Sequence, residues 1–64
     1  MTGNKIWRSR ILGTMSPWAH QELVNLLLDG DAAIDGDGAV WITSHTNSWI
    51  KFASDGTIEI GKEE

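Results

Sequence analysis

A histidine between two serines is the arrangement in this sequence that comes nearest to nucleophilic chemistry. His45 directly follows Ser44 and lies three residues before Ser48. A serine nucleophile also needs a group that orients the histidine and donors that stabilise an oxyanion. The spacing around His45 supplies neither, and His20 has no partner at the spacing of a helical metal pair. We therefore expect a non-enzymatic protein in which His45 is a polar turn residue.

Neighbouring carboxylates raise a second chemical possibility, a calcium-binding loop. Asp31, Asp35 and Asp37 lie close together in the sequence. A loop of the EF-hand type that begins at Asp31 needs an acid or amide at position 33 and a glutamate at position 42, where the chain has Ala33 and Ile42. Because Asp-Gly pairs are typical of hairpin turns, we interpret these residues as turn formers and predict no metal and no cofactor.

Charge is distributed unevenly along the chain. The net charge is −4, and all nine acidic residues follow position 20, whereas Lys5, Arg8 and Arg10 are the only charged residues before it. Basic side chains beside an aromatic ring such as Trp7 can hold single-stranded nucleic acid. Three cations give only a weak attraction to phosphates, and the acids oppose it. Nucleic-acid binding through Lys5, Trp7, Arg8 and Arg10 is therefore the alternative function.

The sequence predicts one helix over residues 17–29. Ser16 is expected to cap its first turn, and Pro17 fits the first helical position. Gly30 is expected to end the helix in the left-handed conformation. An apolar stripe marks the buried side of the helix. The expected polar side consists of Gln21, Glu22, Asn25 and Asp29. Trp18 falls among them, and its ring either curls around the first turn into the core or faces a partner.

From position 31 onward, turn residues recur every nine positions. Gly38, Asn47 and Gly56 each end a short polar stretch between apolar runs. Glycine and asparagine tolerate the left-handed conformation that closes a three-residue hairpin loop. We therefore predict a four-stranded antiparallel meander with strands at about 31–35, 39–44, 48–53 and 57–61. In this register, residue 34 pairs with 40, residue 42 with 50, and residue 52 with 58.

The predicted register makes one face of the meander wholly apolar. That face is expected to carry Ile34, Val40, Ile42, Ile50, Phe52, Ile58 and Ile60. A slip of one residue would mix polar and apolar positions on this face. The register that the turn residues predict is therefore also the one that keeps the face apolar. The helix is expected to pack on this face. The predicted fold is α+β, a single small domain over residues 1–64, in which an extended segment or strand at 5–12 precedes the helix.

The opposite face of the meander carries two tryptophans, Trp41 and Trp49. Lys51 is expected to lie between Trp41 and Glu59, and to make a cation–π contact and an ion pair. Two tryptophans are more than a solvated sheet face needs, and tryptophan is enriched at binding hot spots. We therefore expect another surface to cover this face.

Three candidates for that covering surface follow from the sequence. The N-terminal segment could cover part of the face with Trp7 and Ile11. A second copy or a partner protein could cover the rest.

Val24 and Leu28 widen the apolar arc of the helix beyond what one sheet face needs, which predicts a homodimer that buries these two residues or the tryptophan face.

The leading functional hypothesis is a non-enzymatic protein-binding module. It would be a small acidic inhibitor or adaptor of a larger nucleic-acid-processing or defence protein, of the kind that phages and mobile elements encode. Carboxylates can occupy a basic channel where phosphates would bind. The candidate contact residues are Trp18, Asp35, Asp37, Trp41, Trp49 and Lys51.

A third hypothesis is a structural component of a virion or tail assembly, in which the hairpins extend an intermolecular sheet. The cytoplasm, that of the host for a phage-encoded protein, is the expected compartment. No apolar run in the sequence approaches the roughly 20 residues of a membrane span.

Overall fold

The computed structural model describes residues 4–63 as a helix packed on one face of a five-stranded antiparallel sheet. In chain order the elements are β1 (Asn4–Ser9), a 3₁₀ turn (Leu12–Thr14), α1 (Pro17–Asp29), β2 (Asp31–Ile34), β3 (Val40–Thr43), β4 (Ser48–Phe52) and β5 (Ile58–Glu63). The strand order across the sheet is β1-β5-β4-β3-β2. The predicted α+β class and meander are confirmed, and β1 adds a fifth strand at one edge.

The three hairpin turns of the meander have the predicted backbone conformation. The φ angles are 82° at Gly38, 65° at Asn47 and 92° at Gly56. Asn47 is thus a non-glycine residue in the left-handed region, which asparagine tolerates better than most residues. The turns are each closed by a backbone hydrogen bond, which runs from Asp35 to Ala39, from Ser44 to Ser48 and from Ala53 to Thr57.

The strand register also agrees with the sequence prediction. Residue 34 pairs with 40, residue 42 with 50 and residue 52 with 58. Ile42, Ile50 and Ile60 therefore form an apolar row across three strands on the helix side of the sheet. Because side chains alternate between the two faces of a strand, this register sends Trp41 and Trp49 to the opposite face.

The N-terminal strand joins the edge of the sheet and does not lie over the tryptophan face. β1 pairs antiparallel with β5, and Trp7 is opposite Ile60, so Trp7 extends the apolar row on the helix side. Ile11 lies beyond the end of β1 and is 61% exposed. The predicted covering of the tryptophan face by Trp7 and Ile11 is therefore wrong. Pairing with β1 also explains why β5 continues to Glu63, two residues past the predicted end.

The helix begins and ends where the sequence predicted, but its two ends are built differently. The Ser16 hydroxyl makes no capping hydrogen bond and is buried without a partner among residues 4–63. Gly30 has a φ of −80°, so it is not left-handed. A Cβ atom at Gly30 would collide with the Ile42 side chain and the Leu26 carbonyl oxygen, so glycine is needed for close packing.

No helix within residues 4–63 has the length and apolar character to cross a bilayer.

The core lies between α1 and the central strands β3, β4 and β5. Its most deeply buried side chains are Leu26 from the helix and Ile50 and Ile60 from the sheet. Burial of such a side chain contributes about 1.5–3 kcal/mol to folding. The helix packs mainly over β3, β4 and β5, and Ile34, predicted to lie beneath it, is 74% exposed. That part of the prediction is wrong because the helix lies over the central strands and leaves the edge strand uncovered.

A buried acid fixes the helix to the sheet. Glu22, predicted on the polar side of the helix, is only 9% exposed. Its carboxylate accepts hydrogen bonds from Ser48 Oγ at 2.6 Å and from Lys62 Nζ at 3.2 Å. The Ser48 hydroxyl, with help from Lys62, lowers the pKa of Glu22 below its ordinary 4.5 despite burial, which acts the other way. The negative carboxylate therefore links the helix to both β4 and β5.

The left-handed turn at Asn47 can be tested by two substitutions at that site. Asn47→Gly should leave stability unchanged or raise it, because glycine adopts positive φ without strain. Asn47→Val should cost about 1 kcal/mol or more, because a β-branched side chain is strained at this φ. Thermal unfolding measures both variants under the same conditions. Equal melting temperatures for the two variants would contradict the turn conformation.

Candidate protein-binding surface

The tryptophan face of the sheet, defined here by Arg8, Trp41, Trp49, Lys51 and Glu59, lies opposite the helix. The register places Arg8, Glu59, Lys51 and Trp41 in one row across four strands. α1 packs on the other side of the sheet, and β1 extends the sheet at its edge. No other helix or strand of residues 4–63 is available to cover the tryptophan face. It is therefore a candidate surface for binding a partner protein.

Trp41 and Trp49 form a pair at the centre of this face. Their ring centroids are 5.4 Å apart and the ring planes are inclined by 49°, a tilted aromatic contact. Gly61 of β5 makes room for Trp49, because a Cβ atom there would collide with the indole. The Lys51 ammonium lies 5.2 Å from the centre of the Trp41 ring, which confirms the predicted cation–π contact. The half-buried pair is thus packed against Gly61 on one side and Lys51 on the other.

Asp35 orients the Trp41 ring. Its carboxylate accepts a hydrogen bond from Trp41 Nε1 at 2.7 Å. It also accepts the backbone N–H groups of Asp37 at 2.8 Å and Ala39 at 3.1 Å. The Trp41 hydrogen bond is the largest cause, and the backbone donors are further causes, of the lowered pKa of Asp35. Asp35 was predicted to be a contact residue, and the structure shows that it also supports the turn.

Each basic side chain within residues 4–63 contacts a carboxylate or an indole ring of the same molecule. Arg8 pairs with Glu59 at 2.9 Å, Arg10 with Asp55 at 3.6 Å and Lys62 with Glu22 at 3.2 Å. The Lys5 ammonium lies 4.8 Å from the centre of the half-buried Trp18 ring, which packs against the core. The predicted ion pair between Lys51 and Glu59 is not formed, because Arg8 occupies that carboxylate.

The acidic side chains near β2 form fewer ion pairs than the basic side chains of the molecule do. Residues 29–37 contain four aspartates and no basic residue. Within residues 4–63, Asp29, Asp31 and Asp37 form no ion pair. Asp55, in contrast, has its pKa lowered by the Thr57 backbone N–H and further by the hydroxyl of Thr57 and by Arg10. The uncompensated negative charge of the described chain is therefore concentrated around β2.

The same region of the molecule exposes apolar side chains. Leu27 and Leu28, in the last turn of α1, are 63% and 77% exposed, and Ile34 is 74% exposed. Val24, predicted with Leu28 to lie in a dimer interface, is 37% exposed. The sequence pattern indicated the outward direction of Val24 and Leu28. It did not indicate the exposure of Ile34, because alternation cannot show how far a helix extends over a sheet.

The serines near His45 are engaged elsewhere. The Ser48 hydroxyl donates to Glu22, and Ser44 Oγ shares a hydrogen bond of 2.7 Å with Thr46. His45 instead lines a polar pocket of about 220 Å³ with Asn25, Asp29, Ser44 and Thr46. Within residues 4–63, no three histidine, aspartate or glutamate side chains gather as metal ligands would. The residues around His45 do not assemble a nucleophile and base.

The role of Asp35 can be separated from that of Asp37 by substituting each with alanine. Asp35→Ala should lower the melting temperature and shift the Trp41 indole N–H resonance, because three donors lose their acceptor. Asp37→Ala, the matched control, should change stability by less than about 0.5 kcal/mol, because this substitution leaves no donor without its acceptor.

The effect of Asp35 should also depend on pH. Its pKa in the folded protein is lower than its ordinary 3.8, so its stabilising effect is fully present above that value and is lost as the pH falls through the folded pKa. Thermal unfolding between pH 7 and pH 2 should show the wild type and Asp35→Ala converging in acid. A constant difference over this range would contradict the role of the ionised carboxylate.

Comparison with known proteins identifies no relatives: no protein-family model matches this chain, no curated protein matches its sequence, and no solved structure matches its fold.

Proposed function

We propose that this chain is a non-enzymatic protein-binding module, a small acidic inhibitor or adaptor that docks on a larger protein with a basic surface. The observation that carries the proposal is the distribution of charge partners. Arg8, Arg10 and Lys62 are paired with carboxylates of the same molecule and the other two cations lie over indole rings, whereas the aspartates around β2 leave negative charge uncompensated. A surface of this kind attracts basic partners and repels nucleic acid.

The arginines of β1 favour this proposal over nucleic-acid binding. To contact a phosphate with full charge, Arg8 would have to leave Glu59, and Arg10 would have to leave Asp55. Each released carboxylate would then lie near the phosphates and repel them. The gain from neutralising a phosphate is reduced accordingly, since that gain depends on free cationic charge.

The tryptophan face supplies the apolar component of such an interface. Interfaces draw most of their binding energy from a few rigid aromatic or arginine anchors. Trp41 is fixed by Asp35 and Lys51, and Trp49 packs against both Trp41 and Gly61. Little side-chain entropy is then lost on binding, which lowers the free-energy cost of association. Basic proteins that bind nucleic acid are the class of partner that fits an aromatic face beside acidic turns.

Affinity capture with matched charge variants tests the proposal. Three tagged proteins are incubated with the same lysate, before and after nuclease treatment. They are the wild type, the double variant Asp31→Lys/Asp37→Lys and the double variant Arg8→Gln/Arg10→Gln. We expect the wild type to capture a basic protein, and the aspartate reversal to reduce that capture at least about tenfold, a change of about 1.4 kcal/mol. The arginine variant should capture nearly as much as the wild type.

Two results would contradict the proposal. One is capture that disappears after nuclease treatment, and the other is capture that disappears in the arginine variant while the aspartate variant retains it. Melting curves of all three proteins show that each is folded, so that loss of capture reports on the surface. Tight binding of an oligonucleotide by the purified protein, with a steep salt dependence, would instead establish the nucleic-acid alternative.

A further inference from the structure

Within residues 4–63, the outer edge of β2 presents backbone groups that have no partner. The Asp35 N–H donates to the Ala39 carbonyl at 3.0 Å, which shows that Asp35 is oriented toward β3. Backbone groups in an antiparallel strand alternate in direction from one residue to the next. Ala33, opposite Trp41, therefore also points its N–H and C=O toward β3. The N–H and C=O groups of Ala32 and Ile34 consequently point away from the sheet.

This edge has little of the protection that sheet edges usually have. Natural edge strands are blunted by short length, charged side chains (lysine above all), prolines, bulges or a covering element, and β2 has only its four-residue length and Asp31 among these. β2 contains no lysine or proline, pairs with β3 in a regular ladder and has all four residues exposed. The helix, which could have covered it, packs over β3, β4 and β5 and leaves Ile34 74% exposed. An unpaired ladder edge and an exposed apolar side chain therefore lie together.

We propose that the β2 edge accepts an extended basic segment of the partner protein as an additional strand of the sheet. This inference rests on the proposed protein-binding function and names the segment of the partner that binds. Strand addition gives affinity through backbone hydrogen bonds and specificity through alternate side chains. The four aspartates of residues 29–37 select a basic segment by charge complementarity.

The two faces of β2 set the pattern of that segment. Ala32 and Ile34 lie on the helix side of the sheet, in the rows of Ile42 and Val40, so side chains added beside them meet an apolar surface. Asp31 lies on the tryptophan face, opposite Thr43. The added strand therefore alternates apolar residues on the helix side with lysine or arginine on the tryptophan side.

A second copy of this chain fits the edge less well. If β2 pairs antiparallel with its own copy so that Ala32 is opposite Ile34, Asp31 falls opposite Asp35 of the other copy. Like charges directly opposite each other destabilise a strand pair. The basic edge strand β1 of another copy is also a poor occupant, because Arg8 is held by Glu59 at 2.9 Å. Charge thus favours a foreign basic strand.

A synthetic peptide tests the proposal on the intact chain. The probe is a capped nine-residue peptide that alternates lysine and valine, and the control peptide has glutamate in place of lysine. Amide hydrogen exchange is followed by NMR during titration. The lysine peptide should slow exchange of the Ala32 and Ile34 amides at least about tenfold, whereas the glutamate peptide should have no effect.

Two substitutions at Ala32 separate backbone pairing from simple charge attraction. Ala32→Pro removes an outward N–H and leaves the ladder to β3 intact, since proline is tolerated at an edge on the solvent side. Ala32→Thr, the matched control, keeps the N–H. Protection of Ile34 by the lysine peptide should be lost in Ala32→Pro and kept in Ala32→Thr, and Asp31→Lys should weaken peptide binding about tenfold.

Several outcomes would overturn this inference. These are peptide binding that leaves exchange at Ala32 and Ile34 unchanged, equal binding of both peptides, and equal binding to the Ala32→Pro and Ala32→Thr proteins. Protection of the edge that grows with protein concentration without peptide would assign it to a second copy instead. A captured partner that binds Ala32→Pro as well as wild type would refute strand addition while the proposed protein-binding function stands.

Discussion

The register of the meander is the constraint on which the rest of this structure depends. Three turns, each with a residue of positive φ at a spacing of nine, align the apolar residues of β3, β4 and β5 in rows beneath one helix. A slip of one residue in the β3–β4 hairpin would send Trp41 or Lys51 into the core and an isoleucine into solvent. The core, the tryptophan face and the direction of the β2 backbone groups all follow from this alignment.

The ion pairs within the chain are a second feature that matters for both stability and the proposed function. Glu22 is negative and nearly buried, and it is stabilised there by Ser48 and Lys62 on two strands. Arg8 and Arg10 are satisfied by carboxylates of the same chain. What remains is the negative charge around β2, beside an open strand edge. The acids that these ion pairs leave unpaired thus form the negative surface that we propose attracts a partner.

Much of the backbone could be predicted because its determinants are local. Pro17 marks the helix start, and the turn residues Gly38, Asn47 and Gly56 set three strand pairings. The position of β1 could not be predicted, since pairing of Trp7 with Ile60 joins the two ends of the chain. The burial of Glu22 was also missed, because a helical wheel does not show that Ser48 and Lys62 lie beneath it. The exposure of Ile34 depends on the lateral position of the helix, which local pattern does not determine.

Amide hydrogen exchange of the free protein at low concentration tests the central claim, that the turns set this register and leave the β2 edge open. The structure predicts that the amides of Ala33 and Asp35 are protected by β3, whereas those of Ala32 and Ile34 exchange close to the rate of an unstructured chain. The reverse order, with Ala32 and Ile34 slow and Ala33 fast, would mean a one-residue slip of the strand. Slow exchange at all four positions would mean that the edge is already covered, and either result would contradict the structure of the proposed binding edge.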